Sequence, residues 1–304
     1  MRILVTGSEG TLGKRLVKAL ERRGHNVLCC DLQHIGRKDY IRADVGSFRE
    51  IERAFSDCAP DAVYHLAAEF GRHNGEGWYE RVWTTNAIGT RHILQLCEEY
   101  DSRLIFASSS EIYGEAGEDW LREDLSETTV LHQPNEYALS KWVNEVQIRN
   151  FAARSTMPTP IVCRFFNAYG PGERFHDYRS VVALFAHRLL HGEEITVFRG
   201  YHRTFMFVDD FIPTLASVVE VGQPGAVYNI GGRDYRSVEE LAEIVLAETS
   251  APRSLLKFKD QDAHNVVSKR PDISRAEADL RHDPKVLLEQ GVPLTLDWMR
   301  NRAA

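Results

Sequence analysis

The chain opens on a short apolar run, "RILVT" at 2–6, that breaks into glycines. Apolar runs of this length without alternation mark strands buried on both faces, as in a parallel sheet. "NVLCCD" (26–31), "DAVYHLAA" (61–68), "RLIFASSS" (103–110) and "TPIVCRFFN" (159–167) repeat the type. Between them the apolar positions recur at helical period. "LGKRLVKALERRG" stops at Gly24, and segments 47–57, 79–99 and 136–153 follow. Strands alternating with helices predict an α/β fold: a Rossmann-type, doubly wound parallel sheet with right-handed crossovers.

The rhythm loosens after residue 168. A helix near 178–191, strand-like "ITVFR" (195–199), "FMFVDD" (205–210) and "AVYNIGG" (226–232), and helices over 237–248 and 285–300 are expected. The pattern divides the chain into a sheet domain over 1–167 and a smaller lobe over 168–304. Elements near 205–235 are expected to return to the sheet. A ligand belongs between the lobes, beyond the carboxyl ends of the strands.

"TGSEGTLG" places Gly7, Gly10 and Gly13 between the first strand and the first helix, with Thr11 and Leu12 opening that helix. Glycines there let the backbone approach a pyrophosphate, and the helix N-terminus supplies N–H groups and positive potential. Asp31 closes the second strand, where a carboxylate can accept from ribose hydroxyls and would repel a 2′-phosphate. This favours NAD over NADP. Asp44 and Val45, after the third strand, can meet adenine through a side chain and a backbone group. Leu66, Ala67 and Ala68 can line the cofactor or simply fill strand core.

In "NEYALSKWVNE" (135–145), Tyr137 and Lys141 share one helix face. A free phenol, with a pKa near 10, is a poor base at neutral pH. A nearby ammonium and a positive nicotinamide favour its phenolate. "FASSSEIYG" (106–114) ends the preceding strand and brings Ser108, Ser109 and Ser110 to the cofactor edge. Ser110 is the hydroxyl expected to bond the oxygen on which Tyr137 acts. Glu111 is open to three readings: a second base, an orienting group for a sugar hydroxyl, or a solvent-facing carboxylate.

The net charge of -7 argues against sequence-independent nucleic-acid binding. None of the five cysteines shows C-x-x-C or zinc-ligand spacing, which excludes an obvious metal site and fits a reducing cytoplasm. No apolar run approaches a membrane span, and "MRILVTGSEG" lacks a signal core, so a cytoplasmic protein with no membrane partner is expected.

In order and spacing, "TGSEGTLG", "DAVYHLAA", "TTNAIGT", "SSSEIYG", "YALSK", "RFFNAYGPG", "HRTFMFVDD", "YNIGG" and "PDISRA" resemble the extended short-chain dehydrogenase/reductase family. The likeness is to its NAD-dependent nucleotide-sugar epimerases and dehydratases, and it spans nearly the whole chain. It implies NAD in the N-terminal lobe, a nucleoside-diphosphate sugar in the C-terminal lobe, and a homodimer. It further implies Tyr137 as base and acid, Lys141 as its electrostatic partner and Ser110 as the bonding hydroxyl. Asn86 would contact the cofactor, Asn167 the substrate phosphates or sugar, and Arg203 the diphosphate, to which guanidinium geometry is suited. Arg179 is a further substrate candidate or a surface residue. Arg72, His73 and Asn74, in the unusual "EFGRHNGEGWYERVWTTN" (69–86), are sugar-recognition candidates or an exposed loop.

Two departures matter. Many relatives carry an Arg-x-x-Asp element shortly before the segment like "PDISRA"; here "DQDAHNVVSKRPDISRA" offers only Arg270 in its place. Ser110-Glu111 before "IYG" resembles dehydratases and decarboxylases more than the galactose-type epimerases, but dehydratases often carry an Asp-Glu pair there. The reaction expected first is C4 epimerisation through a transient 4-keto sugar. A 4,6-dehydratase or decarboxylase using Glu111 is the alternative, and a non-enzymatic NAD-binding or sensing protein is the reading from another class.

Overall fold

A computed structural model describes the chain except residues 174, 177, 178, 263, 264 and 304, with side chains for the remainder apart from 72–74, 302 and 303. β1 (Arg2–Thr6) feeds α1 (Thr11–Arg22), and β2 (Asn26–Asp31), β3 (Tyr40–Arg42) and α2 (Phe48–Cys58) follow. β4 (Ala62–His65) leads through α3 (Arg72–Gly77) and α4 (Tyr79–Val82) into a π-helical turn, Trp83–Ile88, and α5 (Gly89–Glu99). β5 (Arg103–Ser109) ends in a 3₁₀ turn, Ser110–Tyr113. Next come α6 (Leu125–Thr128), α7 (Glu136–Ala152) and β6 (Ile161–Phe165).

The second half holds β7 (Ala168–Tyr169), α8 (Val181–Leu190), β8 (Ile195–Phe198), β9 (His202–Phe207) and α9 (Val208–Val221). β10 (Val227–Ile230), β11 (Asp234–Ser237), α10 (Val238–Thr249), β12 (Leu256–Lys259), β13 (Ser268–Lys269), α11 (Ser274–Leu280) and α12 (Leu288–Ala303) complete it.

Seven strands form one parallel sheet in the order β10-β6-β5-β4-β1-β2-β3. Chain direction across the sheet reverses between β1 and β4, and a crevice opens there beyond the strand ends. All four residues of β4 are buried, which explains why its sequence is apolar without alternation. One face of the sheet packs Ile3, Val5, Tyr64 and Ile105 against α1 and α9; the other packs Leu4, Val63, Leu104 and Phe106 against α2 and α5.

The apolar stretch 205–210 is not one strand. β9 ends at Phe207, and Val208 opens α9 with Asp209 and Asp210 in its first turn, where carboxylates meet the positive helix end. α9 returns to pack on α1, and β10 returns to the sheet edge beside β6. β9 instead joins β11, β13 and β7 in a small second sheet. A separate apolar cluster, with Phe185, Val197, Phe205, Leu241 and Leu296, supports that sheet.

Candidate active site

The crevice encloses a cavity of about 380 Å³. Gly7, Gly10, Thr11, Leu12 and Gly13 line it from the turn after β1, and Asp31 from the end of β2. Asp44 and Val45 follow β3, and Leu66, Ala67 and Ala68 follow β4. Ser108, Tyr137, Lys141 and Arg179 also line it. Residues far apart in sequence thus converge on one groove.

The glycine turn is tight. Gly7 has φ +71°, and a Cβ on Gly13 would lie 2.1 Å from the Gly7 carbonyl oxygen. The turn leaves a bare backbone cradle at the N-terminus of α1. Asp31 is fixed at the strand end by Glu9 N–H on Oδ2 (2.9 Å) and Leu32 N–H on Oδ1 (2.8 Å). A glycine cradle with a positioned carboxylate beside it fits an adenine dinucleotide.

Tyr137 and Lys141 face the groove from α7, whose first turn is capped by Asn135 Oδ1 accepting from Ala138 N–H. Lys141 is almost fully buried, and its Nζ donates to the Ala107 carbonyl at 2.7 Å. Burial lowers its pKa to about 7, with Glu145 acting in the opposite direction. Burial also pushes the Tyr137 phenol up; a hydrogen bond with Ser109 pulls it down, and the Glu111 charge pushes it further up.

The hydroxyl that acts on the Tyr137 phenol is thus that of Ser109, beside the Ser110 expected in that role. Ser109 is still extended, at φ −142° and ψ 151°, whereas Ser110 begins the 3₁₀ turn; both are buried. Ser108 lines the cavity, and its hydroxyl donates to Glu145 in a very short bond.

Glu111 is not solvent-facing. It forms a very close ion pair with Lys269 of β13, whose side chain is 2% exposed. Lys269 lies 158 residues away in sequence and carries no motif of its own.

Asn86, Asn167 and Arg203 also bond within the protein. Asn86 holds the groove wall from behind: its side chain bonds Glu69 N–H and C=O and the Ser140 hydroxyl, each at 2.9 Å. Asn167, with φ 37°, donates to the Thr204 carbonyl and ties the chain after β6 to β9. Arg203 is buried on β9, with its guanidinium on the carbonyls of His202, Val266 and Val267 and on Asn265 Oδ1. There it braces the 265–267 segment. Arg179 stacks over Phe70 at 4.8 Å on the groove wall. Arg72, His73 and Asn74 fall at the start of α3, and their side chains lie outside the described residues. Among the described residues no cluster of side chains could hold a metal ion, and no helix is long and apolar enough to cross a membrane.

The model of the NAD dependent epimerase/dehydratase family matches residues 3–231. A UDP-N-acetyl-alpha-D-glucosaminuronate decarboxylase of Bacillus cytotoxicus is 28% identical, over 98% of this chain and 98% of its own length. Among solved structures, a UDP-glucose 4-epimerase of Thermotoga maritima with UDP-glucose superimposes with TM-score 0.90 at 28% identity, covering 100% of both chains. MoeE5 in complex with UDP-glucuronic acid and NAD gives TM-score 0.87 at 26% identity, over 99% of this chain and 100% of that one. With the glycine cradle, the Asp31 strand end and the Tyr137–Lys141 pair in one groove of a seven-stranded parallel sheet, this chain belongs to the NAD dependent epimerase/dehydratase family, and its cofactor is NAD.

Proposed function

We propose that the protein oxidises C4 of a nucleoside-diphosphate hexuronic acid and releases its C6 carboxylate as carbon dioxide. The observation that carries this reading is the Glu111–Lys269 ion pair beside Tyr137. An unpaired Glu111 would repel a substrate carboxylate; Lys269 offsets that charge and adds a buried cation. The uronate decarboxylase, similar along its full length, supports the same reading. It moves weight away from the 4-epimerase expected first from sequence.

Gly7, Gly10, Gly13 and Asp31 would hold the pyrophosphate and ribose of NAD, and Ser108 and Lys141 would flank its reactive end. When bound, NAD takes the C4 hydride and later returns it. Tyr137 removes the C4 hydroxyl proton, with Ser109 bonded to its oxygen and Lys141 favouring the phenolate. The resulting 4-keto acid carries its carboxylate on C5, β to the ketone. The C5–C6 bond breaks, its electrons pass into the C4 carbonyl, and Tyr137, now protonated, stabilises the enolate oxygen. The carboxylate's charge spreads into the enolate while the carbon leaves as neutral carbon dioxide, so a dry site favours the step. C5 would then take a proton from the Glu111–Lys269 pair, which solvent replenishes, and Tyr137 would give its proton back to the C4 oxygen as the sugar is reduced.

The second reading is C4 epimerisation of a neutral nucleotide sugar, favoured by the full-length match to a UDP-glucose 4-epimerase. There Glu111 orients a hydroxyl and no carbon is lost. Incubation with NAD and either UDP-glucuronic acid or UDP-glucose, followed by mass spectrometry and NMR of the product, separates the two. A UDP-pentose lighter by carbon dioxide is expected. A product of unchanged mass with C4 inverted would establish epimerisation instead, and one lighter by water a dehydratase. Tyr137→Phe, which removes one oxygen and keeps the ring, is expected to lower kcat by about 10²–10⁴-fold while NAD still binds.

A further inference from the structure

Lys141 must be charged to favour the Tyr137 phenolate, yet it is buried beside the aromatic faces of Phe106 (4.9 Å) and Tyr137 (6.0 Å). The charged groups around it are few. His65 on β4 is itself buried between the hydroxyls of Thr6 and Thr90, and burial with the Lys141 charge lowers its pKa to about 3, so it is neutral. Glu111 lies toward Tyr137 and is paired with Lys269. Among the described residues the charge acting on Lys141 is that of Glu145, one helical turn beyond it on the same face of α7.

Glu145 is 6% exposed and rigidly held. Ser108 donates to its Oε1. Arg164 of β6, fully buried, binds both oxygens, with Nε on Oε1 at 3.1 Å and Nη2 on Oε2 at 2.8 Å. Arg164 is fixed in turn by Tyr113 Oη (2.7 Å), the Glu123 carbonyl (2.9 Å) and Ser126 Oγ (2.8 Å). Ser108 is the neighbour of Ala107, whose carbonyl receives Lys141 Nζ. The same carboxylate therefore holds the end of β5 against α7 and carries a negative charge one helical turn from Lys141. Stability is a weak reason to keep such a pair, because replacing buried ion pairs with apolar residues is often neutral or stabilising.

We propose that Glu145, clamped by Arg164 and Ser108, is a positioning residue that keeps Lys141 cationic and seated on the Ala107 carbonyl. The proposal rests on the roles given to Tyr137 and Lys141, and it holds for decarboxylation and epimerisation alike.

The test is a pH titration of the full-length protein carrying lysine labelled with carbon-13 at Cε, with the Lys141 signal assigned by its loss in Lys141→Met. Glu145→Gln keeps an acceptor for Ser108 but removes the charge, and is expected to lower the Lys141 midpoint by on the order of one pH unit. The high-pH limb of the kcat profile should fall with it. Ser108→Ala loses a hydrogen bond and no charge, and should leave the midpoint near that of the parent. If Glu145→Gln does not fold, Glu145→Asp serves, since it preserves the charge and should preserve the midpoint while kcat falls. An unmoved midpoint in Glu145→Gln, or one displaced in Glu145→Asp as far as the charge loss requires, would overturn the proposal. The titration needs no substrate, so a shifted midpoint in a protein inactive on every sugar would sink the functional reading alone.

Discussion

The three glycines of the cofactor turn should respond to the same added methyl in a graded way. A Cβ on Gly13 would stand 2.1 Å from the Gly7 carbonyl oxygen and 2.9 Å from two backbone atoms of Ser8. All three are main chain of a turn that β1 and α1 pin at both ends, so no side chain can swing aside. Relief requires the helix start to move by about 1 Å, and overpacking of this kind costs about 3 kcal/mol or more. At Gly7 a Cβ meets Ala67 N at 2.7 Å, and the left-handed backbone adds roughly another 1 kcal/mol. At Gly10 the nearest atom is the Gly7 oxygen at 3.2 Å, and φ is −68°. There the cost is about 1 kcal/mol or less, mainly from a poorer helix cap. For a chain this long each kcal/mol moves Tm by roughly 2 °C, so Gly13→Ala and Gly7→Ala should melt at least about 6 °C lower. Gly10→Ala should melt near the parent. Calorimetry without NAD reads the fold, and fluorescence titration with NAD reads the cradle. Equal loss at Gly10 and Gly13, or a parental Tm for Gly13→Ala, would refute a turn closed by backbone-to-backbone contact.

Ser109→Ala should cut turnover by about tenfold or more while Ser110→Ala leaves it near normal, because the Ser109 hydroxyl is the one that favours the Tyr137 phenolate; steady-state kinetics with the opposite ranking would remove Ser109 from the site. Asp31→Ser should let NADP compete with NAD, and a parent protein that already binds both equally would contradict the role given to that carboxylate. His65, lowered by burial from 6.5 to about 3, takes its proton more readily in the unfolded chain. Its contribution is therefore present above pH 6.5 and is lost as pH falls toward 3, at up to about 1.4 kcal/mol per unit. Urea midpoints across that window should flatten in His65→Gln, and an unchanged slope would show that other groups carry the acid sensitivity.

The sheet and the groove were legible because each rests on local signals. Gly7 to Gly13 must be small for the turn to close, and β4 must be apolar because both its faces are covered. Tyr137 and Lys141 announce themselves by helical spacing. Sequence alone does not rank Ser109 above Ser110. In a run of three serines the deciding fact is where extended backbone gives way to a 3₁₀ turn, and residue type does not mark that point. α9 was hidden because "FMFVDD" continues apolar without a glycine or proline at the junction. Lys269 and Arg164 were invisible for another reason: their partners are brought to them by β13 and β6, and no spacing encodes a contact made by tertiary packing.

The placement of β10 has a consequence for how the chain is made. β6 is largely apolar and buried, and in the finished sheet its outer edge is covered by β10 and the residues just before it. A ribosome releases β6 well before β10, with the loop, α8, β9 and α9 emerging between them. During that interval Ile161, Val162 and Cys163 present unpaired N–H and C=O groups on an apolar edge, the arrangement that recruits strands from other chains. The nascent protein is therefore most exposed to aggregation midway through its synthesis. Truncations ending between β6 and β10 should aggregate more readily than the 304-residue chain.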